Sequence, residues 1–354
     1  MTRRTRRLAL LLAVAFTASA CSPGYVLRAA WEEAKILNRR QPISRVIADS
    51  AQPAETRAKL ALVLEARGFA ADSLGLRAGK SYTLFSRVES DTLAMVLSAA
   101  YRDRFQAKTW WFPIVGSVPY RGYFELDDAE AAARKLQRQG LDTYLRPTAA
   151  FSTLGWFNDP LLSTLLRYDE VSLANTVIHE ILHNTYYASG QAVFNESFAN
   201  FVGGRGAIEF FCRRDGPESP RCRRATAAWE DDLLFGAFLS SLVDDLRALY
   251  GRTDVTSEQK VAMREEVFAR ARERYTREVK PKLQVDNFDR FVGGELNNAT
   301  IISRRIYYDR LDLFERVYEA RGRDFKRAMD DIIAAARAGK ADPYAAVDAL
   351  VGGA

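Results

Sequence analysis

Histidine and cysteine are scarce in this sequence of 354 residues, which has two histidines and three cysteines. Cys212 and Cys222 flank a short segment rich in proline, glycine and charge. No histidine lies near enough in the sequence to complete a four-ligand zinc site with them, so that kind of site is excluded there. In an oxidising compartment a disulfide is favoured over two free thiols, and closing so short a loop would stabilise the fold by about 2–3 kcal/mol.

A strong net charge is lacking as well. The formal charge is +6, but four arginines lie within the first 20 residues, which contain no acid and which we expect to be removed. The remaining chain would carry about +2, which is too near neutral to indicate nucleic acid as a partner. The 48% of apolar residues is enough for a true hydrophobic core in one large domain or two modest ones.

No long apolar run occurs at the N-terminus, although residues 1–20 have the pattern of a secretory leader. Arginines come first, the apolar stretch Leu8–Phe16 follows, and small residues precede Cys21. The stretch is too short to span a bilayer as a stable helix. The segment Ala-Ser-Ala-Cys resembles a bacterial lipobox, which predicts a lipid on Cys21. Because Ser22 is not an aspartate, the resemblance implies an outer-membrane anchor facing the periplasm; the alternative is an ordinary signal peptide.

The polar and apolar pattern divides the rest of the chain into two parts. Residues 21–160 are predicted to hold a helical lead-in and a small β-sheet subdomain, because short β-branched and aromatic runs lie near residues 81–99 and 110–124. Residues 161–354 have helical periodicity almost throughout and are predicted to form a helical subdomain. The expected fold class is α+β and mostly helical, with a small mixed β-sheet followed by a helical C-terminal half.

Both histidines lie in one short motif, His179-Glu180-x-x-His183. No proline or glycine interrupts residues 161–189, so the motif is predicted to be helical. Residues four apart lie on one face of a helix, so both imidazoles can bind one zinc ion. Glu180 is rotated by about 100° and is placed to act as a general base on a water. The alternative is a pair of exposed histidines beside a solvated acid, which the apolar flanking residues disfavour.

A catalytic zinc site needs three protein ligands, and with no further histidine the third must be a carboxylate. Glu196 is the favoured candidate, because a break near Ser189 predicts a hairpin of two helices that returns past the motif. Asn200, one turn further, is predicted to accept a ring N–H of a histidine ligand. Asp169 and Glu170 are the other candidate ligands, and a surface role for Glu196 is the alternative.

The motif together with Asn195-Glu196-Ser-Phe-Ala199 resembles the gluzincin metallopeptidases, and within them a family of bacterial aminopeptidase-like lipoproteins. Three further stretches carry the same resemblance: Pro113–Phe124, Phe151–Leu166 and Asn297–Arg310. The resemblance implies a zincin-like metallopeptidase that uses one zinc ion to hydrolyse peptides. The G-x-M-E-N motif of well-known zinc aminopeptidases is absent, and the connector between His183 and Glu196 is shorter than in the best-known gluzincins.

A zinc peptidase also needs a donor for the developing oxyanion. Tyr307 or Tyr308 is the candidate for this catalytic role, and the alternative is that both are core aromatics. Tyr120, Arg121 and Gly122 are predicted to line the substrate pocket, with Arg121 either binding a substrate carboxylate or forming a structural ion pair. The segment Thr148–Thr153 is the candidate edge strand for a bound peptide.

These observations predict a zinc-dependent peptide hydrolase, with aminopeptidase as the favoured activity, lipid-anchored in the bacterial envelope. One alternative is an endopeptidase of the same family. Another is a non-catalytic scaffold or chaperone-like lipoprotein in which zinc only stabilises the fold. A glycan hydrolase would need a metal-free carboxylate pair, and no pair has a better claim than the zinc motif. The sequence does not indicate an oligomeric state.

Overall fold

The computed structural model describes residues 39–88, 94–112, 116–148 and 160–352. The leader over residues 1–20, the lipidation site Cys21 and the candidate edge strand beyond Thr148 lie outside these described residues. Within them, no helix is both long and apolar enough to cross a membrane.

Helices make up most of the described chain, as the sequence predicts. In chain order they are α1 Ile43–Ala48, α2 Ala54–Asp72, α3 Leu126–Arg138, α4 Glu170–Thr185, α5 Ala192–Asp215, α6 Pro220–Tyr250, α7 Ser257–Arg274, α8 Asp289–Gly293, α9 Asn298–Arg305, α10 Leu311–Ala320, α11 Phe325–Ala338 and α12 Pro343–Asp348. Short 3₁₀ and π segments are Ser163–Arg167, Tyr275–Val279 and Lys280–Lys282. The α+β, mostly helical class is therefore confirmed.

Within the described residues the strands are short and belong to three small sheets rather than to one. They are β1 Gln41–Pro42, β2 Leu84–Ser86, β3 Ala94–Tyr101, β4 Trp110–Phe112, β5 Gly116–Val118, β6 Tyr120–Tyr123, β7 Leu141–Thr148 and β8 Leu161–Leu162. The sheet β6-β3-β7 is antiparallel, β4 and β5 form a hairpin, and the sheet β1-β2-β8 is mixed. The sequence prediction of one mixed sheet missed this division, because strand pairing joins residues that are far apart in the chain.

The sheet β6-β3-β7 has two different faces. Leu97 and Ala99 of β3 pack against Ala133 and Leu136 of α3, which covers one face. The side chains of alternate residues point to the other face, which is turned toward the helical half. This second face is the one that meets the candidate site.

One hydrophobic core crosses the predicted boundary at residue 160. It contains Ile43 of α1, Phe85 of β2, Leu161 of β8 and residues as late as Val347 of α12. Phe85 and Leu161 are also paired directly in the mixed sheet. Both predicted subdomains therefore build the core that supports α4 and α5.

Candidate metal centre

The segment that carries the His-Glu-x-x-His motif forms helix α4, because its other faces are apolar and its start is capped. The side chain of Asp169 accepts hydrogen bonds from the backbone N–H groups of Val171 and Ser172, which satisfies two free donors of the first turn. Glu170 forms an ion pair with Arg221. The two acids considered as other candidate ligands are therefore used to hold the helix in place.

Helix α5 presents Glu196 to the motif after a short, tightly fixed connector. The chain turns at Gly190, whose φ of +77° is a conformation that favours glycine. Asn195 then binds the backbone of Ala188 twice: its Nδ2 donates to the carbonyl at 2.8 Å and its Oδ1 accepts from the N–H at 2.9 Å. This double contact sets the start of α5, so Asn195 positions the neighbouring Glu196.

The two imidazoles and the Glu196 carboxylate come together, as the helix-hairpin interpretation predicts. Nε2 of His179 lies 3.5 Å from Oε2 of Glu196, and Nε2 of His183 lies 3.8 Å from Oε1. One ligand atom from each residue lies within 4.8 Å of the others. Ligand atoms about 2.1 Å from one tetrahedral zinc ion would be about 3.4 Å apart. The three side chains therefore fit a single zinc ion with only small adjustments.

The charges of this cluster favour an ionised Glu196. Burial by itself would raise the pKa of Glu196, but the hydrogen bond with His179 and the charges of both imidazoles hold it below its ordinary value. Burial lowers the pKa of His183, whereas for His179 the effect of burial is outweighed by Glu196 and Glu180, which raise its pKa. An ionised carboxylate beside imidazoles is the donor set that zinc prefers.

Glu180 lies in a cleft of about 420 Å³ that His179 also lines. Its Oε2 atom is buried and has no hydrogen-bond partner among the described residues. A buried carboxylate oxygen without a partner is costly unless a ligand or water serves it. The geometry therefore leaves this oxygen available to a molecule bound in the cleft.

The two candidate tyrosines have different surroundings, although both line the cleft. The Tyr307 ring lies 6.4 Å from that of His179, and burial raises the pKa of its hydroxyl, which keeps it protonated as a donor. Tyr308 packs against Phe235 at 5.1 Å, and its hydroxyl is hydrogen-bonded to Asp232. Tyr307 is thus the better placed of the two.

The sequence predicts that Asn200 accepts a ring N–H of a histidine ligand, but the hydrogen bonds of the described residues do not include this contact. Its Nδ2 atom donates to the carbonyl of Tyr307 at 3.0 Å, and its side chain also binds Asp232. The buried Nδ1 of His183 has no hydrogen-bond partner in the described part of the chain. Asn200 therefore connects α5 to the Tyr307 segment instead of orienting an imidazole.

The predicted pocket residues are divided between the two faces of the sheet β6-β3-β7. Tyr120 pairs with Ser98, while Arg121 pairs with Leu97 of the face that packs on α3. Burial, together with the negative charges of Glu196 and Glu180, raises the pKa of Tyr120 to about 12. Tyr120 and, by alternation, Gly122 therefore face the metal centre, whereas Arg121 lies on the opposite face.

The cleft also contains charged residues that no sequence motif marks. Arg146 of β7 and Asp232 of α6 line it, together with Asp286 and Arg304. Burial, reinforced by the charge of Asp286, raises the pKa of Asp232 to about 7. Strand alternation alone could have predicted that Tyr144 and Arg146 lie on one face of β7. It could not have predicted that this face is the one near the histidines.

The close approach of α4 and α5 depends on Gly203. A Cβ atom at this position would lie 2.9 Å from the backbone oxygen of Asn175 and 3.1 Å from Cβ of His179. We expect Gly203→Ala to force the helices apart, to lower the free energy of unfolding by about 1–3 kcal/mol and to weaken zinc binding. Thermal unfolding and zinc titration measure both effects.

Gly68 provides the matched control for this substitution. It lies inside α2, where an added Cβ would meet only Asp72 Oδ2, at 4.0 Å. Gly68→Ala is expected to raise the free energy of unfolding by about 0.4–1 kcal/mol, because alanine restricts the unfolded chain. Equal behaviour of Gly203→Ala and Gly68→Ala would contradict the proposed packing role of Gly203.

A family model described as "Putative aminopeptidase" matches residues 24–345. No curated protein and no solved structure matches the chain. The matched range includes all the residues of the candidate metal centre.

Proposed function

Because the chain belongs to the family described as "Putative aminopeptidase", we propose that it is a zinc-dependent peptide hydrolase, with aminopeptidase as the favoured activity. The observation that carries the proposal is the group His179, His183 and Glu196 beside the unpartnered Oε2 of Glu180. Together they provide three metal ligands and a general base in one cleft. This arrangement also supports a zincin-like active site of the gluzincin kind.

In the proposed reaction His179, His183 and Glu196 would hold zinc. When bound, zinc supplies a Lewis acid that polarises the peptide carbonyl and acidifies a water molecule. Glu180 takes the proton of the attacking water and later passes it to the leaving amine. Tyr307 keeps its hydroxyl proton and can donate it in a hydrogen bond to a substrate oxygen.

The same observation argues against zinc as a purely structural element. A structural zinc site is closed by four protein ligands, whereas the group in the described residues has three. A scaffold would also gain nothing from a buried carboxylate oxygen without a partner at Glu180.

An endopeptidase is the second candidate activity, and the continuity of two neighbouring spaces supports it. Tyr144 and Arg304 line both the cleft at the metal centre and a second groove of about 890 Å³. The two spaces are therefore neighbours and could together take an extended peptide. Comparing peptides with free and acetylated N-termini decides between the two activities, because an aminopeptidase requires the free amine.

Removing the metal tests the zinc dependence directly. We expect a chelator to abolish peptide hydrolysis and added zinc to restore it, since the three ligands supply the only proposed Lewis-acid site. The measurement is the hydrolysis rate across a peptide library, together with the metal content of the protein. Hydrolysis that continues in metal-free protein would refute the proposed function.

We further propose that the protein is anchored to the periplasmic side of the outer membrane through a lipid on Cys21. The disulfide between Cys212 and Cys222 supports an oxidising compartment, because such bonds are rare in the cytosol. Cys21→Ser is expected to abolish labelling by a radioactive fatty acid and to move the protein from the membrane to the soluble fraction. An unlabelled wild-type protein in the soluble fraction would exclude the anchor.

A further inference from the structure

Arg146 is a cationic side chain in the cleft, and no acid of the described residues forms an ion pair with it. It lies on β7 and lines the same cleft as His179 and Glu180. Among the described residues its guanidinium forms no hydrogen bond and no ion pair, although most arginines of the helical half are paired with an acid. An unpaired guanidinium beside a metal centre is available to a bound molecule.

The strand register places Arg146 on the face of the sheet that meets the metal centre. Arg146 and Gly122 are both paired with Val96, and Tyr120 and Tyr144 are both paired with Ser98. Residues paired across antiparallel strands point to the same face of the sheet. Arg146 therefore shares the face of Tyr120.

Arg121, the arginine that the sequence indicates as a candidate pocket residue, lies in a different register. It is paired with Leu97, as is Leu145 of β7. This row belongs to the face that packs on α3, with Leu97 and Leu145 in the hydrophobic cluster there. The sheet thus separates the two arginines, and only Arg146 faces the histidines.

The charge of Arg146 acts on the groups that surround the candidate metal. It helps to lower the pKa of Glu196, and it opposes the burial that raises the pKa of both Tyr120 and Tyr307. Its positive charge therefore acts at the Glu196 carboxylate and at the hydroxyl groups of Tyr120 and Tyr307. A substrate carbonyl bound beside the three candidate ligands would lie within this same field.

We propose that Arg146 is a catalytic residue that donates hydrogen bonds to the substrate carbonyl oxygen as it becomes negatively charged. This inference rests on the proposed peptide hydrolysis. A guanidinium has five N–H donors and remains charged at every working pH. The chain has no third histidine for this task, and Glu180 and Glu196 are acids. The hydroxyl of Tyr307 can donate only one hydrogen bond, so Arg146 would act beside it.

The proposed step balances without any further reactant. The water oxygen bonds to the carbonyl carbon, the water proton moves to Glu180, and the C=O π pair moves onto the oxygen that faces Arg146. The pair then re-forms the carbonyl, the C–N bond breaks, and the nitrogen takes the proton from Glu180. The products are a carboxylic acid and an amine, and Arg146 is unchanged.

The test compares Arg146→Met, Arg146→Lys and Arg121→Met in the full chain reconstituted with zinc. We expect Arg146→Met to lower kcat by about 10²–10³-fold with a much smaller change in KM, as the loss of an oxyanion donor does. Arg146→Lys keeps the charge and is expected to recover part of the rate. Arg121→Met, on the opposite face, is expected to have the smaller effect. Zinc content and thermal unfolding of each variant report on folding.

A binding measurement provides a readout that does not depend on turnover. A phosphinic peptide carries a negatively charged oxygen where the substrate carbonyl oxygen would be. Calorimetry is expected to show that Arg146→Met weakens its binding by a factor similar to the loss in kcat/KM. Unchanged binding, or a larger effect of Arg121→Met than of Arg146→Met, overturns the inference.

A free C-terminal carboxylate is a different anion that a guanidinium could bind. Peptides with free and with amidated C-termini distinguish it, because an oxyanion role predicts the same loss for both. A loss confined to free carboxylates, and seen in KM, overturns the assignment of Arg146 to the oxyanion. Absence of any hydrolysis by the wild type overturns the proposed function itself. If the wild type is active and Arg146→Met hydrolyses peptides equally fast, only the role assigned to Arg146 is overturned.

Discussion

Glu180→Gln is expected to lower kcat for peptide hydrolysis by about 10²–10⁴-fold while zinc remains bound. Glutamine has nearly the same shape but cannot take a proton from the attacking water. Glu180 is not part of the ligand group, so the metal content should stay at one ion per chain. Steady-state kinetics and metal analysis on the same sample provide the measurement.

A surface glutamate on the neighbouring helix gives the control for that substitution. Glu209 lies exposed on α5, away from the residues that line the cleft. Glu209→Gln removes the same charge and should leave both rate and metal content unchanged. A Glu180→Gln protein that hydrolyses peptides as fast as the wild type would show that another group is the base.

Glu196→Ala is expected to have the largest effect on metal binding, weakening zinc affinity by more than about 100-fold. Loss of a partner that only supports a ligand already costs 10–100-fold, and Glu196 supplies the carboxylate that bridges both imidazoles. Added zinc should therefore raise the unfolding temperature of the wild type but not of the variant. Competition with a chromogenic chelator measures the affinity, and thermal unfolding measures the stabilisation.

Glu170→Gln is the control for Glu196→Ala, because Glu170 is another acid considered as the third ligand. Glu170 starts the motif helix and is bound by Arg221, whose hydrogen bond and charge lower its pKa. Losing this half-exposed ion pair should cost little stability and should not change zinc affinity. If Glu170→Gln, and not Glu196→Ala, releases the metal, the third ligand has been assigned to the wrong acid.

The grouping of the three candidate metal ligands could be predicted from the sequence because its geometry is local. The spacing of His179 and His183 within one helix fixes their relative orientation, and a short connector limits where Glu196 can lie. The position of Glu180, the proposed general base, follows from the same helix. Periodicity and chain breaks are enough for such a site, because each of its parts lies within about five helical turns of the next.

The wall of the cleft opposite the helices could not be predicted in this way. Whether Arg121 or Arg146 faces the histidines depends on the register between β3 and its neighbours, and a slip of one residue would exchange the faces. The contact of Asn200 with the Tyr307 carbonyl likewise joins residues 107 apart. Long-range pairing of this kind leaves no periodic signal in a single sequence.

The core that crosses residue 160 has a consequence for how the protein matures. Helices α4 and α5 are supported by α1 on one side of the sequence and by residues as late as Val347 on the other. The hydrophobic core that supports α4 and α5 therefore cannot be complete in a nascent chain until residue 347 has left the ribosome. If the centre binds a metal as proposed, the fully formed centre can capture that metal only after synthesis is complete, and only after export if the chain crosses the inner membrane unfolded.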